Sequence, residues 1–171
     1  MKDLTKVEVS ITQWIKDTGE GQIKGIPVPC GECRTCCSHI NAQLYPEEIK
    51  FYKNKFSKSD GKYHLKRNSN DTCVYLNDRG CSIHDHVPKV CKTFDCRYMG
   101  FFNIKNPKNE NLTKASKRWI FINDNNEIWQ HLTQYFRNGL ALMPIKSGDR
   151  VDYCAKAALL SAYNKFFVKT E

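Results

Sequence analysis

Apolar positions along the chain alternate between three- and four-residue steps and shorter extended runs, so both helices and strands are expected. Leu4, Val7, Ile11, Trp14 and Ile15 recur at helical spacing, which predicts an amphipathic helix over 4–17 that Gly19 and Gly21 end. Residues 22–37 read as a loop stiffened by Pro27 and Pro29, and a short extended piece runs from Ile40 to Leu44. Pro46-Glu47-Glu48 predicts a helix start, because proline suits the first helical position and carboxylates suit the positive end of the helix dipole. Ile49, Tyr52 and Phe56 are its expected inward residues. Residues 73–84 read as a hairpin turning at Asn77-Asp78-Arg79-Gly80, with Gly80 at a left-handed position. After Pro88 a short helix carries Cys91 towards Cys96.

Further along, 118–123 is a predicted strand and Asp124-Asn125-Asn126 its turn. A helix over 127–138 puts Ile128, Trp129, Leu132, Tyr135 and Phe136 on one side, and Gly139 and Pro144 interrupt it. Asp149 is the expected cap of a last helix reaching about residue 168, with a stripe of Val151, Cys154, Ala155, Ala158, Leu159, Ala162 and Phe166. The expected fold class is α+β. It is one small domain over 1–171, in which an irregular, metal-stabilised cysteine core at 30–96 contains the hairpin and is flanked by amphipathic helices. The strand and C-terminal helices of 118–171 are expected to pack on that core.

Composition permits such a core. Nine Phe, eight Tyr and three Trp supply large apolar groups in 171 residues. No stretch reaches the roughly 20 apolar residues of a membrane-spanning helix, and the opening residues lack a secretory apolar run. A cytoplasmic protein without membrane partners is the expectation.

The cysteines change the picture most. There are nine, an odd number, and four fall in the eight residues Cys30-Gly31-Glu32-Cys33-Arg34-Thr35-Cys36-Cys37. Cys73, Cys81, Cys91 and Cys96 follow. In a reducing compartment such clusters bind metal or do redox chemistry rather than form disulfides. The candidate metal ligands are therefore Cys30, Cys33, Cys36, Cys37, Cys73, Cys81, Cys91 and Cys96. Eight thiolates complete two four-sulfur sites, filled by zinc or by a 4Fe-4S iron–sulfur cluster. Neighbouring side chains point apart in extended backbone, so Cys36 and Cys37 are awkward partners for one ion. In a regular hairpin with a three-residue loop, Cys73 and Cys81 lie about 13 Å apart along one face. A four-residue loop puts them on opposite faces. Either register sends them to different centres, unless the turn is distorted.

His84, three residues after Cys81, is a candidate ligand or a hydrogen-bond partner of a thiolate. His39 and His86 are weaker candidates, and His64 and His131 are ordinary. Cys154 reads as a buried core thiol on its helix stripe.

The formal net charge is +9. Metal-bound thiolates offset part of it, and Arg34, Arg79, Lys89, Lys92 and Arg97 lie near cysteines where they balance the cluster. Lys50 to Arg67 holds seven basic residues and one acidic, interleaved with Phe51, Tyr52, Phe56 and Tyr63. A single-stranded nucleic-acid groove has this character, and so does a solvated helix face over a core stripe. No nucleic-acid module matches, so the bland reading is preferred. No phosphate-binding loop and no nucleophile–base set is present.

Cys30-x2-Cys33-x2-Cys36-Cys37, followed by Cys73-Val-Tyr-Leu, Cys81-Ser-Ile-His and Pro88-x2-Cys91-x2-Phe94, resembles the CxxCxxCC family of zinc- or iron-chelating, YkgJ-type cysteine-cluster proteins. The likeness covers about 30–96, with Val87 where the family often carries arginine. It implies a bound metal or iron–sulfur centre. It also implies two enzymatic alternatives, an iron–sulfur oxidoreductase and a protein-modifying enzyme like a flagellin lysine methylase with a similar run. A basic module for nucleic acid or an acidic partner is the third reading. No substrate or redox partner follows from the residues.

Overall fold

The computed structural model describes residues 5–30, 33–83, 86–105, 109–143 and 150–168. The fold is α+β, and the chain divides into two compact units. One is discontinuous, Met1–Val28 with Asp95–Glu171; the other is Pro29–Phe94. Among the described residues no helix is long and apolar enough to cross a membrane.

The discontinuous unit is built on β1 (Val7–Ser10) and β7 (Trp119–Ile122), which pair in parallel from Val7↔Trp119 to Ser10↔Ile122. α1 (Ile11–Lys24) follows β1 directly. The expected helix over 4–17 is therefore corrected: its first part is strand, and the helix runs on past both glycines. Val7 and Val9 are β-branched and find a partner strand more than a hundred residues away, which local spacing cannot reveal. Ser10 marks the change, since its hydroxyl accepts from Gln13 N at 3.0 Å as the helix cap. α4 (Arg97–Phe101) and α5 (Glu110–Ser116) had no clear periodic signal. α6 (Asn126–Leu142) begins at an Asn125 cap and α7 (Arg150–Phe167) carries the last stripe. Asp149, the expected cap of α7, lies outside the described residues, as does Pro144.

Two helix glycines that read as breakers are close-packing sites. A Cβ on Gly19 would lie 2.1 Å from the Tyr163 ring of α7, and one on Gly139 would lie 3.1 Å from the Cys154 sulfur. α6 accordingly runs beyond Gly139 rather than ending there. Cys154 is buried, as expected of a core thiol. Ile11, Trp14, Ile15, Ile128, Leu132 and Leu159 are fully buried, while Tyr135 and Val151, expected inside, are exposed. Phe101 gathers the rings of Trp14, Phe121 and Trp129 at 5.3, 5.1 and 4.9 Å.

A charged network lies inside this core. Trp14 Nε1 donates to Asp95 Oδ2 at 2.8 Å, and Arg97 Nε donates to Asp95 Oδ1 at 2.9 Å. Asp95 and Arg97 are both 2% exposed. Arg97 also reaches Asp17 at 3.4 Å. The pair flanks Cys96, whose sulfur accepts the indole N–H of Trp119 at 3.3 Å. Arg97, read from the sequence as balancing thiolates, is matched here by Asp95.

The second unit holds α2 (Thr35–His39), a 3-10 turn (Pro46–Phe51), α3 (Lys89–Lys92) and two small sheets. β2 (Gln43–Leu44), β4 (Lys62–Leu65) and β3 (Phe56–Ser59) pair antiparallel in the order β2-β4-β3. The basic stretch is thus a hairpin rather than a helix. Its two-residue turn is Asp60-Gly61, with φ of 50° and 73°, the left-handed pair that a tight hairpin requires. Ala42, Leu44, Tyr52 and Leu65 form the buried centre, with Ile49, Phe56, Cys73 and Val90 packed against it. Ile49, Tyr52 and Phe56 do face inward, though Phe56 does so from a strand. β5 (Leu76–Asn77) and β6 (Gly80–Cys81) make the second hairpin.

Gly19→Ala is expected to destabilise the protein by about 1–3 kcal/mol through overpacking on Tyr163. Helix propensity alone favours alanine by about 1 kcal/mol, so the sign of the shift in thermal midpoint decides between the two effects. Asp95→Ala leaves Arg97 buried beside a lost partner and is expected to cost about 3–5 kcal/mol in denaturant unfolding.

Candidate metal centre

Three separate pieces of the second unit deliver thiols. α2 carries Cys36 and Cys37. The segment around the second hairpin carries Cys73 and Cys81, and α3 carries Cys91. Backbone bonds join the first two pieces directly: Cys73 N donates to Cys37 O at 3.0 Å. Arg34, preceding α2, donates to the carbonyls of Asn77 and Asp78 at 3.1 and 2.6 Å and so grips the turn before Cys81. Glu48 ties in the third piece. Its carboxylate accepts from Tyr45 N at 2.9 Å and from Lys89 N at 2.7 Å, the first residue of α3.

The second hairpin departs from both registers expected for it. Leu76 pairs with Cys81 and Asn77 with Gly80, so the loop is only Asp78-Arg79. The strands are two residues long. Cys73 instead bridges Arg67, and its carbonyl accepts from Leu76 N at 2.9 Å as the chain turns. Gly80 does take a positive φ, of 119°. This early turn removes the regular strand that would have separated Cys73 from Cys81. The regular hairpin on which the inference of different centres depended is absent, and the two thiols interact electrostatically.

Electrostatics outlines their neighbourhood. Burial pushes the Cys37 thiol above its ordinary value, and so do charges on Cys81, Cys73 and Cys33. Cys81 is raised by burial and by Cys73, against a backbone hydrogen bond from Ile83. Cys91 is pushed up to about 12 by burial, then by Cys37, Cys73, Cys81 and Glu48. Although the Cys91 residue as a whole is exposed, its sulfur is desolvated and feels the charges of the three other thiols. Every pairing among Cys37, Cys73, Cys81 and Cys91 is thus an interacting one. Tyr52 senses the same group, raised to about 12 by burial, Glu48, Cys91, Tyr75 and Cys81.

Cys33 stands at the edge of the quartet, coupled to Cys37 and 3.6 Å from the Thr35 hydroxyl. Cys30 is half-buried just before it, and Cys33 N donates to Cys30 O at 2.9 Å. Cys96 falls in the other unit, buried beside Trp119. His84 lies outside the described residues, and nothing is described of the His39 side chain. His86 gives its carbonyl to the Tyr52 hydroxyl at 2.9 Å. His64 is a β4 residue with a buried Nδ1, and His131 meets Ser161 at 2.9 Å.

Among the described residues, no three His, Cys, Asp or Glu side chains already converge as an ion would require. Tetrahedral sulfur ligands lie about 3.8 Å apart, from a zinc–sulfur bond of about 2.3 Å. The quartet is gathered within electrostatic reach but not contracted to that spacing. Its donor set fits a thiophilic ion: four soft thiols, part-desolvated, from segments pinned by hydrogen bonds.

The profile of one family, described as CxxCxxCC, putative zinc- or iron-chelating domain, matches residues 29–125. The chain belongs to the CxxCxxCC family. Metal binding, to zinc or iron, is the chemistry of that family. The match covers the whole cysteine unit and continues into the helical unit past β7, well beyond the cysteine run itself. No curated protein and no solved structure matches the chain.

Sequence reasoning missed Arg67, Glu48 and the Asp95–Arg97 pair. Only Glu48 left a signal, three residues after Tyr45 at a helix start, where a carboxylate reaches back to the cap.

Any metal taken up by Cys37, Cys81 or Cys91 must displace protons from thiols held above their ordinary range. Affinity is therefore low in acid and climbs with pH until the thiols themselves ionise. About one proton per ligating thiol is expected on zinc addition near neutral pH. An indicator dye in weakly buffered solution measures that release directly.

Proposed function

We propose that Cys37, Cys73, Cys81 and Cys91 together hold one metal centre through four thiolates. The supporting observation is their complete set of mutual interactions inside one unit. Thiols packed this way repel one another when ionised, and a bound cation turns that repulsion into attraction. The centre is one zinc ion or one four-iron cluster, since both take four cysteine sulfurs. Cys30, Cys33 and Cys36 remain as further thiols in the same unit, of which Cys33 interacts with Cys37. Cys96 belongs to the helical unit. A reducing compartment, the cytosol, keeps such thiols available for metal.

Anaerobic purification, elemental analysis and a visible spectrum test the proposal. A colourless protein with zinc identifies a closed structural site. A brown protein with matching iron and sulfide identifies a cluster. Serine at any one of the four positions is expected to lose that metal, while Cys154→Ser keeps it. Metal-free protein from careful anaerobic preparation, unable to take up added zinc or iron, would sink the reading.

A further inference from the structure

We propose that Arg67 is the positioning residue of the thiol quartet. It fixes the short helix carrying Cys37 against the segment carrying Cys73 and so sets metal affinity without touching the metal. The inference rests on the metal reading above and adds to it a residue outside the cysteine pattern.

Arg67 holds both pieces at once. Its backbone bridges Cys73 in antiparallel fashion. Its guanidinium reaches the other way, donating to Ile40 O at 2.8 Å and to Ser38 O at 2.5 Å. Those carbonyls belong to the C-terminal end of α2, the five-residue helix that carries Cys36 and Cys37. The direct bond from Cys73 N to Cys37 O joins the same two pieces.

The helix needs such a partner. Five residues are too few to be stable alone, and the last carbonyls of any helix lack intrahelical donors. A cation is favoured at that end by the helix dipole. The guanidinium is itself aimed by Asp71, whose Oδ1 accepts from Nε at 2.6 Å and whose carbonyl accepts from Nη2. Asp71 is largely exposed, so this ion pair adds little stability. Its effect is orientation. The loop between Arg67 and Cys73 is closed by Asn68 N to Thr72 O at 2.8 Å, which keeps the brace and the ligand strand together.

The chemistry asks for arginine. A planar fork addresses three carbonyls and a carboxylate from one position, whereas a lysine ammonium is a single point. Four part-buried thiols whose charges oppose one another would spread if α2 were free to swing. Ligand groups must be held to within about 0.5 Å to bind well.

The test uses the metal-free full-length chain, with zinc competed against a chromophoric chelator and cobalt(II) added as a spectroscopic probe. Arg67→Ala is expected to weaken zinc binding by about 10–100-fold, the usual effect of losing a residue that orients a ligand. Its cobalt absorption bands should weaken and shift. Arg67→Lys should recover only part of the affinity. Gly19→Ala, which strains the helical unit, should leave zinc affinity and cobalt bands at wild-type values. A folded Arg67→Ala protein with wild-type affinity and spectrum overturns the proposal. If that variant does not fold, Arg67→Lys and Asp71→Asn decide: weaker binding in both supports the brace, and wild-type binding in both overturns it. Failure of the metal reading looks different, because the wild-type chain itself would leave zinc with the chelator. That result removes the brace along with it.

Discussion

Cys37, Cys81 and Cys91, carried by three chain segments, lie where burial and the charges of neighbouring thiols both oppose their ionisation. Nothing in a cysteine side chain holds such groups in place. The unit around them does so with main-chain geometry: a backbone bond between Cys73 and Cys37, Arg34 on the hairpin turn, and Glu48 on the start of α3. Each partner is a backbone group rather than a sulfur. The charged side chains thus act as struts on the main chain that carries the thiols.

The same economy governs the helical unit. Its helices approach closely at Gly19 and Gly139, and its interior tolerates the Asp95–Arg97 pair because Trp14 and Asp17 share the load. Two charges buried together gain little net stability over apolar neighbours, yet each is costly to leave alone. This makes the Asp95-Cys96-Arg97 segment a fixed point, with the Cys96 sulfur held against Trp119. The family match runs through that segment to residue 125, so the family's pattern is not confined to the cysteine-rich unit.

Several local signals were readable and several misled. Ser10 and Asn125 act as helix caps through short-range bonds, and Trp119–Ile122 is the strand that its β-branched and aromatic run suggests. Asp60-Gly61 carried a hairpin signal that the surrounding lysines and aromatics obscured. Glycine misled in the helices for one reason. It lowers helix propensity by about 1 kcal/mol, but it also lets two helices approach, and a single sequence does not say which effect is in play.

The sequence by itself determined the chemistry. Nine cysteines, an odd number with Cys36 and Cys37 adjacent and four within eight residues, point to thiolate and metal, and their order carries the family. It also determined the α+β class, because periods of two and of three to four are local properties. Tertiary structure decided which thiols share a neighbourhood. Cys73 and Cys81 share a neighbourhood because the chain turns at Leu76 instead of continuing as strand, and Cys91 joins them through a carboxylate forty-one residues before Lys89. Those outcomes depend on hydrogen bonds between distant backbone groups, which every residue type possesses and no spacing pattern records.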